Sequence, residues 1–369
     1  MAGTNDSVLK TKFGEIRVSE NVVEDDFESI PIIDLTAMKS PNLEDRKKLA
    51  QEISRVCSTV GFFYIKNHGV DSDLVREIHA LAKEYFSLPL EDKMKCFRGD
   101  SNVFRGYTPL FNEFSQVDHS VGSLCEGFDI GYEIDGDPER SPGDKLPDME
   151  SDMYGTNTWP DAQTAPRFRS TYLKYFRAML TLSRNLLKIF ALALDLPEDY
   201  FDNVTTYPGC MSRLIHYPPQ PLPDSTHPGI APHTDFECFT ILSQDDVRAL
   251  QVLNKRQQWV TAEPIPDHFV VNIGDFLQFW TNNKFRSTMH RATNLTGRDR
   301  YSVPFFFGVN YDATISVLDT CLSKDTPRGD KQQKIMAGDY VRRQLAAVYD
   351  KPLDVPDSQP EAVGIQIPV

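Results

Sequence analysis

The sequence predicts an all-β core with flanking helices, folded as one compact unit, and three observations carry that reading. Downstream of Pro197 the chain breaks into short β-rich segments separated by Gly-Asp, Asn-Asn and Thr-Gly-Arg-Asp turns, the texture of a double sheet. Upstream of it, apolar residues recur at helical spacing. No internal repeat, low-complexity tract or long linker divides the 369 residues, a length that one large jelly roll can largely absorb.

Taken in order, "SIPIIDL" (30–36 region) is a short strand with Pro31 at its start, where a missing N–H is tolerated. Asn42 and Asp45 form a capping pair, and Leu49, Ile53, Val56 and Val60 follow on one helical face up to Gly61. "GFFYIKNHGV" (61–70) is a strand closed by an Asn-His-Gly turn. A second helix starts at Asp71 or Ser72, buries Leu74, Ile78, Leu81 and Tyr85, and stops before Pro89. From about 98 to 165, Gly, Pro, Asp and Asn dominate, and "RGYTPLFNE" and "EGFDIGYEIDGDPERSPGD" read as excursions over the surface. Pro166 suits the first turn of a long helix to about Leu194, with Phe168, Tyr172, Phe176, Met179, Leu186 and Phe190 as its buried stripe. The β-rich segments are 211–217, 238–244, 249–254, 268–274, 275–280, 287–293 and 300–309, and "GDYVRRQLAAVY" (338–349) closes the chain with a helix.

Composition excludes several classes of function. Hydrophobic residues make up 40% of the chain, ample for a core, yet none of the apolar runs reaches the length of a membrane span. A net charge of −14 opposes a nucleic-acid partner, which needs concentrated Lys and Arg. Six scattered cysteines without a CxxC pair, behind an N-terminus unlike a secretory signal, predict reduced thiols in a cytoplasmic protein. GxGxxG after a strand, P-loop, HExxH and GxSxG signatures are all missing. No obligate protein partner is evident.

The chemistry concentrates in "APHTDFECF" (231–239). On a strand, His233 and Asp235 project from one face and offer an imidazole nitrogen and an anionic oxygen to one point. Two histidines and a carboxylate on one face of an octahedron hold non-haem Fe(II). His290 in "STMHRAT" is a better third ligand than His268, which stands at a strand entrance. The plain alternative is a structural His–Asp hydrogen bond and an ordinary half-buried histidine. Arg300 and Ser302 in "RDRYSVPFF" share a strand face and make a carboxylate receptor, with Tyr217 adding a phenol donor. Alone, that pair would be a surface Arg and a solvated Ser.

Together, "HYPP", "HTD", "NIGDFLQFW", "MHRA" and "RYS", in that order, resemble the iron(II)/2-oxoglutarate-dependent dioxygenases of the isopenicillin N synthase-like family. "PIIDL" and "GFFYIKNHGV" resemble that family's N-terminal region, and the likeness runs from about residue 30 to about 350. Fifty-four residues lie between Asp235 and His290, within the family's range. The resemblance implies a double-stranded β-helix (a distorted jelly roll) over 206–315, after an N-terminal region at 1–205 and before a C-terminal helix and tail at 316–369. It assigns Fe(II) to His233, Asp235 and His290, and the distal carboxylate of 2-oxoglutarate to Arg300, Ser302 and Tyr217. With O2, 2-oxoglutarate would become succinate and CO2 while a small molecule, by the family's habits a specialised-metabolite intermediate, is hydroxylated or desaturated.

Strand parity points Phe306 and Phe239 into the pocket, where they wall the substrate or are plain core, and Arg105 in "FRGYTPL" contacts substrate or is solvated. Ile215 stands where many plant members carry asparagine, and Glu237 either orients a ligand or, by default, faces solvent. Two rivals share these motifs: an iron oxidase of the same fold that needs no 2-oxoglutarate, and a binding module that has kept its ligand set without turnover.

Overall fold

The β-rich second half winds back and forth between two sheets, and that alternation builds the site. The computed structural model describes residues 6–11, 14–23, 30–114, 122–141, 143–146, 153–220, 228–322 and 334–349. The first part supplies β1 (Asp6–Thr11), β2 (Gly14–Val23), β3 (Ile32–Asp34), β4 (Phe62–Lys66), β5 (Gly106–Thr108) and β6 (Glu126–Gly131). Helices α1 (Leu43–Thr59), α2 (Ser72–Phe86), α3 (Leu90–Met94) and α4 (Phe168–Ala193) belong to the same part. Then come β7 (Pro208–Tyr217), β8 (Ile230–His233), β9 (Phe239–Gln244), β10 (Leu250–Leu253), β11 (Gln258–Thr261) and β12 (Phe269–Ile273). A short helix, α5 (Asp275–Trp280), precedes β13 (His290–Ala292) and β14 (Arg300–Asn310), and α6 (Ala337–Tyr349) ends the described chain.

One sheet has the order β3-β4-β12-β9-β14-β7-β6-β5, and the other β1-β2-β11-β10-β13-β8. From β7 to β14 the chain therefore crosses repeatedly from the larger sheet to the smaller and back, the winding of a double-stranded β-helix. Helix α4 packs on α1, α2 and the larger sheet, with Phe176 against Phe305 and Phe190 against Phe239, both at 5.1 Å between ring centroids. All six residues of its expected stripe are buried. The helix starts also follow local chemistry. Asn42 Oδ1 accepts from the Glu44 amide (3.1 Å) and Asp71 Oδ1 from the Asp73 amide (2.8 Å), each satisfying a donor with no partner inside its helix. No described helix is long and apolar enough to cross a membrane.

Three segments differ from expectation, the first being Gly106–Thr108 of "RGYTPLFNE", expected as a surface excursion and found as the buried strand β5. "DFLQFW" is not a strand but helix α5, all six of whose side chains are buried. Its apolar residues fall at 276, 277, 279 and 280 and its polar ones at 275 and 278, a helical spacing that a six-residue window is too short to separate from a strand. "EGFDIG" is not a surface excursion but the fully buried strand β6, between β7 and β5. Its glycines mark close approach rather than a loop: a Cβ at Gly127 would collide with the Arg213 guanidinium, and one at Gly131 with that of Arg105.

Candidate active site

His233 ends β8 and His290 begins β13, and the two are directly opposed in that antiparallel pair. Their ring centroids lie 4.2 Å apart. Each Nδ1 sits on a carbonyl two residues earlier, His233 on Ala231 (2.8 Å) and His290 on Thr288 (3.1 Å). A carbonyl oxygen only accepts, so each Nδ1 carries a hydrogen, and in the neutral ring the lone pair is then on Nε2. Those Nε2 atoms lie 3.6 and 3.5 Å from Asp235 Oδ1.

Asp235 is held from behind. Its Oδ2 accepts from Thr240 Oγ1 (2.5 Å) and Asn272 Nδ2 (2.6 Å), residues that are themselves opposite one another in the β9–β12 pair. Burial alone would raise Asp235; the imidazoles, His290 foremost, outweigh it and hold the carboxyl well below the usual carboxylate range. Burial lowers His233, and the neighbouring Asp235 carboxylate together with the Ala231 carbonyl more than offsets this, for a net rise. The turn that carries Asp235 is tied to the start of α5: the Asp275 amide donates to the Asp235 carbonyl (2.8 Å) and Thr234 Oγ1 to Asp275 Oδ2 (3.1 Å). One ligand atom from each of His233, Asp235 and His290 lies within 4.8 Å of the others. Metal–ligand distances of ~2.1 Å place neighbouring ligand atoms ~3 Å apart, so this donor set fits a divalent transition metal with little movement.

A cavity of about 510 Å³ connects this cluster to Arg300, Ser302 and Tyr217. Arg300 faces Tyr217 across the β14–β7 pair, its guanidinium 4.7 Å from the ring centre. It is 1% exposed; Nη2 donates to Gln244 Oε1 (3.3 Å), while Nε and Nη1 are buried without a hydrogen-bond partner. A buried guanidinium with open donors is costly unless an anion meets it. Burial, only partly relieved by the Arg300 charge, pushes the Tyr217 phenol up to about 12, so it is a neutral donor near pH 7. Ile215 faces Ser302 across the same strand pair and lines the cavity with alkyl surface.

Residues 30–162 match the family described as "non-haem dioxygenase in morphine synthesis N-terminal", and residues 208–309 match the 2OG-Fe(II) oxygenase superfamily. The chain is 36% identical over 331 residues to the 2-oxoglutarate-Fe(II) type oxidoreductase ppzC of Metarhizium majus, covering 87% of this chain and 88% of that one. It is 32% identical over 328 residues to the homoarginine-6-hydroxylase 2-ODD-233 of Oryza sativa subsp. japonica, covering 86% and 96%. Among solved structures it resembles a full-length Neurospora crassa protein in complex with alpha-KG, with a TM-score of 0.75, 26% identity, and 88% and 98% of the two chains covered. The chain belongs to the iron(II)/2-oxoglutarate-dependent dioxygenases of the isopenicillin N synthase-like family. This dioxygenase has the double-stranded β-helix fold of that family and uses Fe(II), 2-oxoglutarate and O2.

Also lined by His233 and Asp235, a second chamber of about 880 Å³ is bounded in part by α6 through Val341, Leu345, Val348 and Tyr349. Phe306 lines both cavities, as its parity with Arg300 and Ser302 predicts. Phe239 does not. It is fully buried between Phe190 of α4 and Phe307 (5.2 Å), because the turn after His233 crosses to the other sheet and β9 starts with the opposite parity. Arg105 is neither solvated nor in either cavity: it is 1% exposed, Nη1 donates to the Gly155 carbonyl and Nη2 to that of Met153 (3.5 Å). It braces the chain at Met153 and Gly155 instead. Glu237 is 6% exposed, not solvated, and burial followed by the Asp235 charge pushes its carboxyl up to about 8. Sequence reasoning missed Thr240, Asn272, Glu113, Asp129 and Arg213. Only Asn272 carried a signal, as a lone amide in the apolar run "FVVNI".

Proposed function

We propose that His233, Asp235 and His290 hold the Fe(II), that Arg300 with Ser302 and Tyr217 holds the distal carboxylate of 2-oxoglutarate, and that the 880 Å³ chamber receives a small organic substrate for hydroxylation or desaturation. The observation that carries this reading is the pair of unpartnered, buried Arg300 donors in a slot that ends at the ligand cluster. Bound there, the metal with 2-oxoglutarate and O2 supplies oxidising power, with 2-oxoglutarate converted to succinate and CO2 as the substrate is oxidised. The chain's own part is orientation. Backbone carbonyls fix both imidazole tautomers, Thr240 and Asn272 aim Asp235, and Phe306 helps keep the space between slot and chamber dry. All six cysteines are free thiols, five of them buried, which supports a reducing, cytoplasmic setting.

Anaerobic titration of the iron-loaded protein with 2-oxoglutarate, followed by the weak visible band of the chelated keto acid, tests the assignment. Arg300→Gln should weaken apparent 2-oxoglutarate affinity on the order of 100-fold, since it removes a desolvated charge partner, while Fe(II) binding persists. Unchanged affinity in that variant would refute the anchor. Absence of both band and substrate-linked succinate in the unaltered protein would favour an oxidase that takes its electrons from substrate alone.

A further inference from the structure

The larger chamber is walled mainly by apolar side chains, yet three carboxylic acids besides the Asp235 ligand open into it: Glu113, Asp129 and Glu237. Arg213 is the one Lys or Arg among its described lining residues. That guanidinium is committed to two of the acids, with Nη2 2.6 Å from Glu113 and Nε 3.7 Å from Asp129, and its Nη1 donates to the Tyr349 hydroxyl (2.8 Å). Arg98, stacked on the Tyr349 ring at 3.6 Å, adds further positive charge on the Asp129 side.

Glu237 is the acid left over. It is more than nine-tenths buried, and its Oε1 has no hydrogen-bond partner among the described residues. The chain makes room for it. A Cβ on residue 308 of β14 would collide with Glu237 Oε2, and Gly308 stands there. A carboxyl group kept out of water with an open oxygen costs several kcal/mol in order of magnitude unless a partner arrives. It lies two residues beyond Asp235, beside the metal cluster and in the chamber wall.

We propose that Glu237 reads the substrate, and that the substrate presents a cationic nitrogen, an ammonium or guanidinium group, to its carboxylate while an apolar body lies on Phe306, Val341 and Leu345. This rests on the chamber being the substrate space of the dioxygenase. An anionic substrate would find Glu113 and Asp129 already matched by Arg213 and would leave Glu237 without a partner, whereas a cation draws Glu237 into its carboxylate form and pairs it.

The test uses the full chain loaded anaerobically with Fe(II) and 2-oxoglutarate. The probes are primary alkyl- and arylalkylamines paired with their neutral N-acetyl amides, and alkylguanidines paired with the matching alkylureas. Readouts are the rise in Tm and the perturbation of the visible band. Cationic members should raise Tm and perturb the band, and their neutral partners should not. Glu237→Gln should weaken cation binding by on the order of 30-fold or more, and Glu237→Asp, which keeps the charge, should restore part of it. Equal binding of neutral partners, no binding of any cation, or wild-type cation affinity in Glu237→Gln would overturn the proposal. If the band never forms but cations still raise Tm through Glu237, the oxygenase assignment of the site fails and the cation reading stands.

Discussion

Asp235 illustrates how much of the proposed metal site lies outside its ligands. One oxygen faces two imidazoles, and the other is held by Thr240 and Asn272, residues more than thirty positions apart in sequence that meet as cross-strand neighbours. Asn272→Ala removes one of those two donors. It should lower Fe(II) affinity by roughly 10–100-fold in an iron titration, with far-UV circular dichroism unchanged. Full affinity in that variant would mean that Thr240 alone orients the carboxylate. His233, Asp235 and His290 were legible in the sequence because metal-ligating side chains at i, i+2 and on a later strand have explicit chemistry. Asn272 was less so: an amide in an apolar run has no stated target until the sheet pairs it with β9.

At the scale of elements, the crossing between sheets resets side-chain parity. Counting by twos from His233 through Asp235 leads to Phe239, yet the turn at 234–238 intervenes and Phe239 packs on α4. Helix α5, expected as a strand, anchors that turn through the amides of Asp275 and Phe276. Helix α2 packs on the larger sheet partly through His79, whose Nε2 lies 2.8 Å from Ser243 Oγ of β9. Burial, then the charges of Lys83 and Arg300, pull this imidazole down from 6.5 to about 4. The unfolded chain therefore binds the proton first as pH falls. Stability from this residue is complete above pH 6.5 and is lost between there and about 4, a loss on the order of 3 kcal/mol. Urea midpoints measured across that range should fall with acidity, and His79→Asn should flatten the slope. An unaltered slope would place the pH sensitivity elsewhere.

The whole molecule joins its two sheets at the site. The smaller sheet supplies His233 and His290 from β8 and β13, while Thr240, Asn272, Arg300 and Ser302 come from β9, β12 and β14 of the larger. A metal bound to the cluster links those sheets and binds the native state in preference to the unfolded chain. At a free Fe(II) concentration 100-fold above Kd, the gain is about 2.7 kcal/mol, so chelation should lower Tm by a few degrees and Fe(II) should restore it. A melting curve indifferent to saturating Fe(II) would speak against binding at a folded, sheet-joining centre.

The sequence by itself determined the family, the helix–sheet–helix order, the imidazoles and carboxylate of the cluster and the arginine proposed to anchor 2-oxoglutarate, because these rest on side-chain chemistry and short-range spacing. Only the tertiary structure decided that Arg105 and Phe239 belong to the packing rather than to the pocket, and that Glu237 stands unmatched in the chamber wall. Burial and pairing arise from contacts between segments far apart in the chain. A strand's period of two carries side-chain direction no further than the next turn.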